Sequence, residues 1–175
     1  TGIVQLGFTR FIADRLYEKK DAVIMPNFNG LMLTVIVASG LLAMLVVLNQ
    51  FTGESDLYRV LMVSGFVIMC CIWVATIFLS GMKQYKEIVR MFAVGYAITI
   101  ASALMLRPLG LEGLLLGFVI GHFVLLTGMI TLTLRNHPSD HFVAFGFLKK
   151  GAMYPTLIWT GLFYNAGIWA DKLLL

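Results

Sequence analysis

The chain has 175 residues, 59% hydrophobic and 13% charged, with 13 Lys and Arg against 9 Asp and Glu. Soluble domains carry about 25% charged residues, so this composition excludes an ordinary water-soluble globular domain. The net charge of +4 is scattered between apolar runs and builds no basic domain, which argues against nucleic acid as a partner.

Residues 1–20, TGIVQLGFTRFIADRLYEKK, begin apolar and turn amphipathic. Gln5, Thr9, Arg10, Asp14 and Glu18 recur at three- and four-residue steps, which gathers them on one side of a helix. The stretch reads as a partial span over 1–14 that emerges into water by Arg15. Pro26 then suits the first turn of a following helix. Two apolar runs without formal charge come next, 28–49 and 60–80, separated by the polar turn NQFTGESD. Cys70 and Cys71 are adjacent inside the second run, where they read as small buried hydrophobes. A basic connector, GMKQYKEIVR, leads to the shortest run, 91–106, which Arg90 and Arg107 bracket. Long basic side chains at both ends suit a short crossing.

After a turn at Pro108 comes Gly113–Leu134, 22 residues with no Asp, Glu, Lys or Arg. At 1.5 Å per residue it extends about 33 Å, enough to cross a hydrocarbon core of about 30 Å. Gly113, Gly117, Gly121 and Gly128 fall within about 80° of one another on a helical wheel. Such a ridge lets a second backbone approach closely, as helices in lipid require. His122 falls on roughly the opposite side, so this helix is expected inside a bundle. The connector 135–150 is the longest, and its half Phe142–Leu148 is apolar enough to lie in the interface. The last run, 152–170, holds Pro155, Thr156, Thr160, Gly161, Asn165 and Gly167 and is the most polar and breakable. The chain starts without Met and stops in the apolar Leu173–Leu175, so it reads as an internal portion of a longer protein.

The basic residues give the orientation. Successive connectors hold four (Arg10, Arg15, Lys19, Lys20), one (Arg59), three (Lys83, Lys86, Arg90), one (Arg107), three (Arg135, Lys149, Lys150) and one (Lys172). The strict alternation places 10–26, 81–90 and 135–150 on the cytoplasmic side. The expected fold is an all-α polytopic transmembrane bundle with spans near 1–14 (partial), 28–49, 60–80, 91–106, 113–134 and 152–170.

No catalytic set is visible. His137 and His141 with Asp140 have a ligand-like spacing, yet zinc requires three or four ligands and no further cluster supplies them. No Walker, G-x-S-x-G or H-E-x-x-H pattern occurs. The sequence implies no enzyme, cofactor or metal. Polar groups at membrane depth are the sharper signal, because burying them is costly. His122 is either a neutral imidazole bonded to a neighbouring helix or a proton or substrate group. Arg10 and Asp14 are either solvated charges at a helix end or groups lining a pathway. Asn165 is expected to bond across helices or to ligand. Asp171 and Lys172 need buried partners if the helix continues past them, and Arg10 and Asp14 are natural candidates. Tyr154, Trp159, Tyr164 and Trp169 read as interface anchors.

FTRFIADRLYEKK at 8–20, MPNFNG at 25–30 and YNAGIWADK at 164–172 together resemble the Pel exopolysaccharide transporter family. That family belongs to the superfamily of multidrug, oligosaccharidyl-lipid and polysaccharide exporters, which includes lipid-linked-sugar flippases. The resemblance implies an inner-membrane, flippase-like carrier of an amino-sugar-rich polymer. It also implies a cytoplasmic glycosyltransferase as partner, together with membrane subunits that respond to cyclic-di-GMP. Arg10, Asp14, His122, Asn165, Asp171 and Lys172 are the candidate pathway residues, chosen on physical grounds rather than from the family. Two alternatives stand beside this one: a scaffold that anchors the glycosyltransferase through basic loops, and a proton-coupled small-molecule exporter using His122.

Overall fold

A computed structural model describes residues 2–136, 139, 141–149 and 154–174 of the chain. All the regular elements among them are helical: α1 (Gly2–Tyr17), α2 (Ile24–Gln50), α3 (Asp56–Gly81), α4 (Tyr85–Leu106), α5 (Gly110–Asn136) and α6 (Pro155–Leu174). Three stretches are long and apolar enough to cross a membrane: Asp21–Gln50, Asp56–Gly81 and Tyr85–Arg135, with mean hydropathies of 2.8, 2.5 and 2.1. The third, 51 residues long, is two helices folded back at the 3-10 turn Arg107–Leu109. Gly110 follows that turn at φ +70°, a backbone state only glycine adopts without strain. The protein is therefore an all-α, multi-pass membrane protein.

The helices extend beyond the apolar runs that announce them. α4 takes in Tyr85, Lys86, Glu87 and Arg90, so its 22 residues cover about 33 Å although only the run 91–106 is apolar throughout. α3 starts at Asp56 because the Ser55 hydroxyl accepts a hydrogen bond from the Tyr58 amide, an N-cap. Hydrophobicity marks what lipid touches, whereas caps mark where hydrogen bonding ends. α6 runs unbroken past Gly161 and Gly167, with Pro155 at its first position, where its missing amide costs nothing.

Two compact units divide the chain. Unit 1 comprises residues 1–31 and 137–175, and unit 2 comprises 32–136. In unit 1, α1 packs against α6. Phe8, Phe11, Ile12, Ile24, Met25, Phe28 and Phe147 are buried there, with Phe8 edge-on to Phe147 at 5.7 Å.

Unit 2 holds the rest of α2 with α3, α4 and α5. Its buried residues include Leu61, Ile72, Phe78 and Leu79 of α3 and Leu125, Leu126 and Met129 of α5. α3 and α5 run parallel: a Cβ on Gly65 would meet Val119 at 3.5 Å, and the Thr76 hydroxyl lies 3.9 Å from Met129 Sδ. At the turn before α3, Arg59 Nε donates to the Phe51 carbonyl at 2.8 Å, capping the end of α2. Cys71 is buried and Cys70 half-buried, and both are free thiols.

Lys19 and Lys83 sit at φ +57° and +59°, two residues past the ends of α1 and α3. At each, two amides turn back onto the last helical turn, Lys20 to Arg15 and Lys19 to Leu16, then Gln84 to Leu79 and Lys83 to Ser80. These are Schellman caps with lysine where glycine is usual. Lysine in this region costs about 1 kcal/mol or more. Lys83→Gly is therefore expected to be more stable than Lys83→Ala by about 1 kcal/mol, both having lost the charge. Equal thermal midpoints for the two variants would contradict this.

Candidate functional site

The α4–α5 hairpin is closely packed along its length. A Cβ added at Gly117 would lie 2.5 Å from Ala103 Cα, and one at Gly121 2.5 Å from Thr99 Cα. At Gly113 it would meet the Leu106 carbonyl, and at Gly128 the Met91 sulfur at 2.9 Å. Gly95 of α4 answers from the other side, where a Cβ would meet Leu125 Cβ at 2.7 Å. Each step of about four residues along α5 is matched by one back along α4, so the helices are antiparallel with backbones in contact. The Ser102 hydroxyl reaches the Gly117 carbonyl at 2.8 Å across this seam, besides the Ile98 carbonyl at 2.7 Å on its own helix.

His122 is buried in this unit. Its Nδ1 lies 2.8 Å from the Phe118 carbonyl oxygen, which can only accept, so the proton sits on Nδ1. The ring stacks on Phe118 at 3.9 Å and meets Tyr96 of α4 edge-on at 5.9 Å. Packing and one hydrogen bond thus accompany its burial.

The other candidate residues belong to unit 1. On α1, Arg10 Nε and Asp14 Oδ1 form an ion pair at 3.0 Å, one helical turn apart. On α6, the Asn165 amide donates to the Gly161 carbonyl of its own helix at 2.8 Å. The helix continues through 171 and 172, but the side chains of Asp171 and Lys172 lie outside the described residues. The packing of α1 on α6 therefore brings the helices of Arg10, Asp14, Asn165, Asp171 and Lys172 together, while His122 stands in the other unit. Farther along α1, Arg15 bonds Glu18 at 2.6 Å and Lys20 reaches the same carboxylate at 3.0 Å. The Lys20 hydrogen bond, aided by the charges of Arg15 and Lys20, holds the Glu18 carboxyl below its ordinary range.

The start of α2 holds an arrangement that the residue pattern alone did not reveal. Asn27 is 1% exposed. Its amide nitrogen donates to the Val23 carbonyl at 2.8 Å, and its oxygen accepts the Phe147 amide at 3.2 Å. Asn29 donates to the Phe142 carbonyl at 2.7 Å, the Ala144 amide donates to the Pro26 carbonyl at 2.8 Å, and Ser139 donates to the Ala22 carbonyl at 2.8 Å. Gly30 lies against the Ala144 carbonyl so closely that no side chain fits between. MPNFNG thus buckles the described part of the connector, 139 and 141–149, onto the head of α2. Two asparagines in a helix's opening turns were the available signal, since that residue is a poor helix former unless its side chain is used. Of the histidine pair in this connector, His141 is exposed, while His137 and Asp140 lie outside the described residues. Tyr154, Trp159 and Tyr164 are exposed, and Trp159 stacks on Phe163 at 6.1 Å.

One family model matches residues 1–175, that of PelG, described as "Putative exopolysaccharide Exporter (EPS-E)". The chain belongs to the PelG family. No curated protein and no solved structure matches it. The match covers the whole chain, both units included. A PelG-type exopolysaccharide exporter is a transporter rather than a catalyst, and its cargo is a polysaccharide.

Proposed function

We propose that the chain forms part of a carrier that moves an amino-sugar-rich, Pel-like exopolysaccharide across the bacterial cytoplasmic membrane. The polymer passes along a polar cleft between helices, handed on by a cytoplasmic glycosyltransferase with the other Pel membrane subunits. Membership of an exopolysaccharide exporter family supports the transport reading. The observation that carries the cleft is the Arg10–Asp14 pair, held on a helix packed against α6 with its Thr156, Thr160 and Asn165. Sugar hydroxyls and acetamides need donors and acceptors of mixed sign, which such a sparse set supplies. Asp171 and Lys172 extend the same helix and belong to the proposed lining. In the alternative reading, a scaffold, the basic connectors 81–90 and 135–150 with Lys83, Lys86 and Lys149 would anchor the glycosyltransferase.

The test uses full-length protein in its complex. A partly exposed pair one turn apart stabilises a helix by only about 0.5 kcal/mol, so its loss should not unfold the protein. Arg10→Ala, Asp14→Ala and Asp171→Ala are expected to abolish polymer export while complex assembly survives. Normal export from these variants, with assembly lost on changing Lys83, Lys86 or Lys149, would make the protein a scaffold instead.

A further inference from the structure

A groove of about 440 Å³ runs along the outer side of α5, lined by Phe123, Val124, Thr127, Gly128, Thr131 and Leu132 with Met91, and ending at Arg135. Thr127 and Thr131 would give it polar character, but their hydroxyls are committed. Thr127 donates to the Phe123 carbonyl and Thr131 to the Thr127 carbonyl, each at 2.8 Å. What they present to the groove is chiefly methyl. Gly128 keeps the floor open, with only the flexible end of Met91 near its missing side chain. The groove is therefore an apolar channel with one charged end. Arg135 is exposed and has no partner among the described residues.

Length narrows the occupant further. From Phe123 to Arg135 is twelve residues, about 18 Å of helix. Half of a hydrocarbon core is about 15 Å. The apolar part thus covers one leaflet, and the guanidinium reaches headgroup level. A planar, permanently charged fork is the side chain best suited to binding a phosphate through two oxygens. We propose that this groove seats one acyl chain of an anionic phospholipid, with its phosphate on Arg135. By the charge count this is the cytoplasmic leaflet, and basic sites at that level bind anionic headgroups. The proposal rests on α5 being a span and not on the cargo. Its failure leaves the exporter reading intact, as export failure leaves this one.

Full-length protein is reconstituted in nanodiscs of mixed phosphatidylcholine and phosphatidylglycerol, extracted with mild detergent, and weighed intact by native mass spectrometry. Thr131→Trp fills the groove, and Arg135→Gln removes the charge. Both positions are exposed, so neither change opens a core. Retained phosphatidylglycerol is expected to fall about tenfold in each variant, which corresponds to about 1.4 kcal/mol, while Arg135→Lys keeps an intermediate amount. Unchanged retention in both variants overturns the proposal. Loss with Arg135→Gln alone also overturns it, by showing surface attraction without a seated chain, and loss with Thr131→Trp alone does so by showing a chain without the phosphate contact. Cross-linking of Thr131→Cys to another segment of the protein shows a protein occupant and likewise overturns it.

Discussion

Replacing Gly117 or Gly121 with alanine is expected to destabilise the protein by about 3 kcal/mol or more, the upper part of the range for overpacking. The new methyl at 117 would meet Ala103 Cα and N at 2.5 Å, and at 121 it would meet Thr99 Cα at 2.5 Å. These are backbone atoms, which no rotamer change can move aside. The helices would have to separate along the whole seam, giving up dispersion contacts and the Ser102 bond to the Gly117 carbonyl. In lipid that loss is severe, because no hydrophobic drive holds the helices together and close packing carries the association. Gly167→Ala in α6 is the control. A Cβ there meets nothing within 4 Å, and alanine favours a helix over glycine by up to about 1 kcal/mol. Thermal unfolding of the full-length protein in detergent measures all three. A Gly117→Ala protein that melts with the parent would show that α4 and α5 do not touch at this point.

The second large effect is expected at Asn27. Truncation to alanine leaves the buried Phe147 amide without its acceptor and the Val23 carbonyl without its side-chain donor. An unsatisfied buried group costs about 1–3 kcal/mol. The cost should appear locally, as loosening of the connector on α2, since the bonds to the Pro26 carbonyl, from Asn29 and from Ser139 then remain to hold it. Amide exchange at Ala144 and Phe147 is expected to accelerate by about five- to 150-fold, following tenfold per 1.4 kcal/mol. Asn29→Ala, which removes a more exposed bond to the Phe142 carbonyl, should have a smaller effect. Exchange unchanged in Asn27→Ala would mean that packing of Phe147 against Phe8, rather than the amide, holds the connector.

Lipid-facing character and handover between helices are read from residue order, because both depend on local composition. The 22 uncharged residues from Gly113 allow no soluble helix surface, and Pro108 with Gly110 forces the chain to turn. The column of glycines on α5 is likewise a matter of spacing along one helix. Its partner is not: Ala103 and Thr99 are ordinary residues in an apolar run, and nothing local says that they face Gly117 and Gly121. Helix ends were displaced for a similar reason, since Tyr85–Arg90 is polar in composition yet helical in hydrogen bonding. Asn27 is the clearest case. The sequence places an asparagine in a familiar motif, but its oxygen is matched by an amide 120 residues later. His122 divides in the same way: an ionisable group inside a span is visible by inspection, and the Phe118 carbonyl that accepts its hydrogen bond is one turn back on the same helix, while the Tyr96 ring beside it appears only once helices are packed.

Residue order by itself determined that the chain is helical, that it enters lipid, and where its basic turns lie, because these follow from hydropathy and charge summed over neighbours. Tertiary structure alone decided which helices share a seam, which asparagine fastens which connector, and which polar groups are already satisfied. Those depend on pairs of atoms far apart in the chain, and no sum over neighbours contains them.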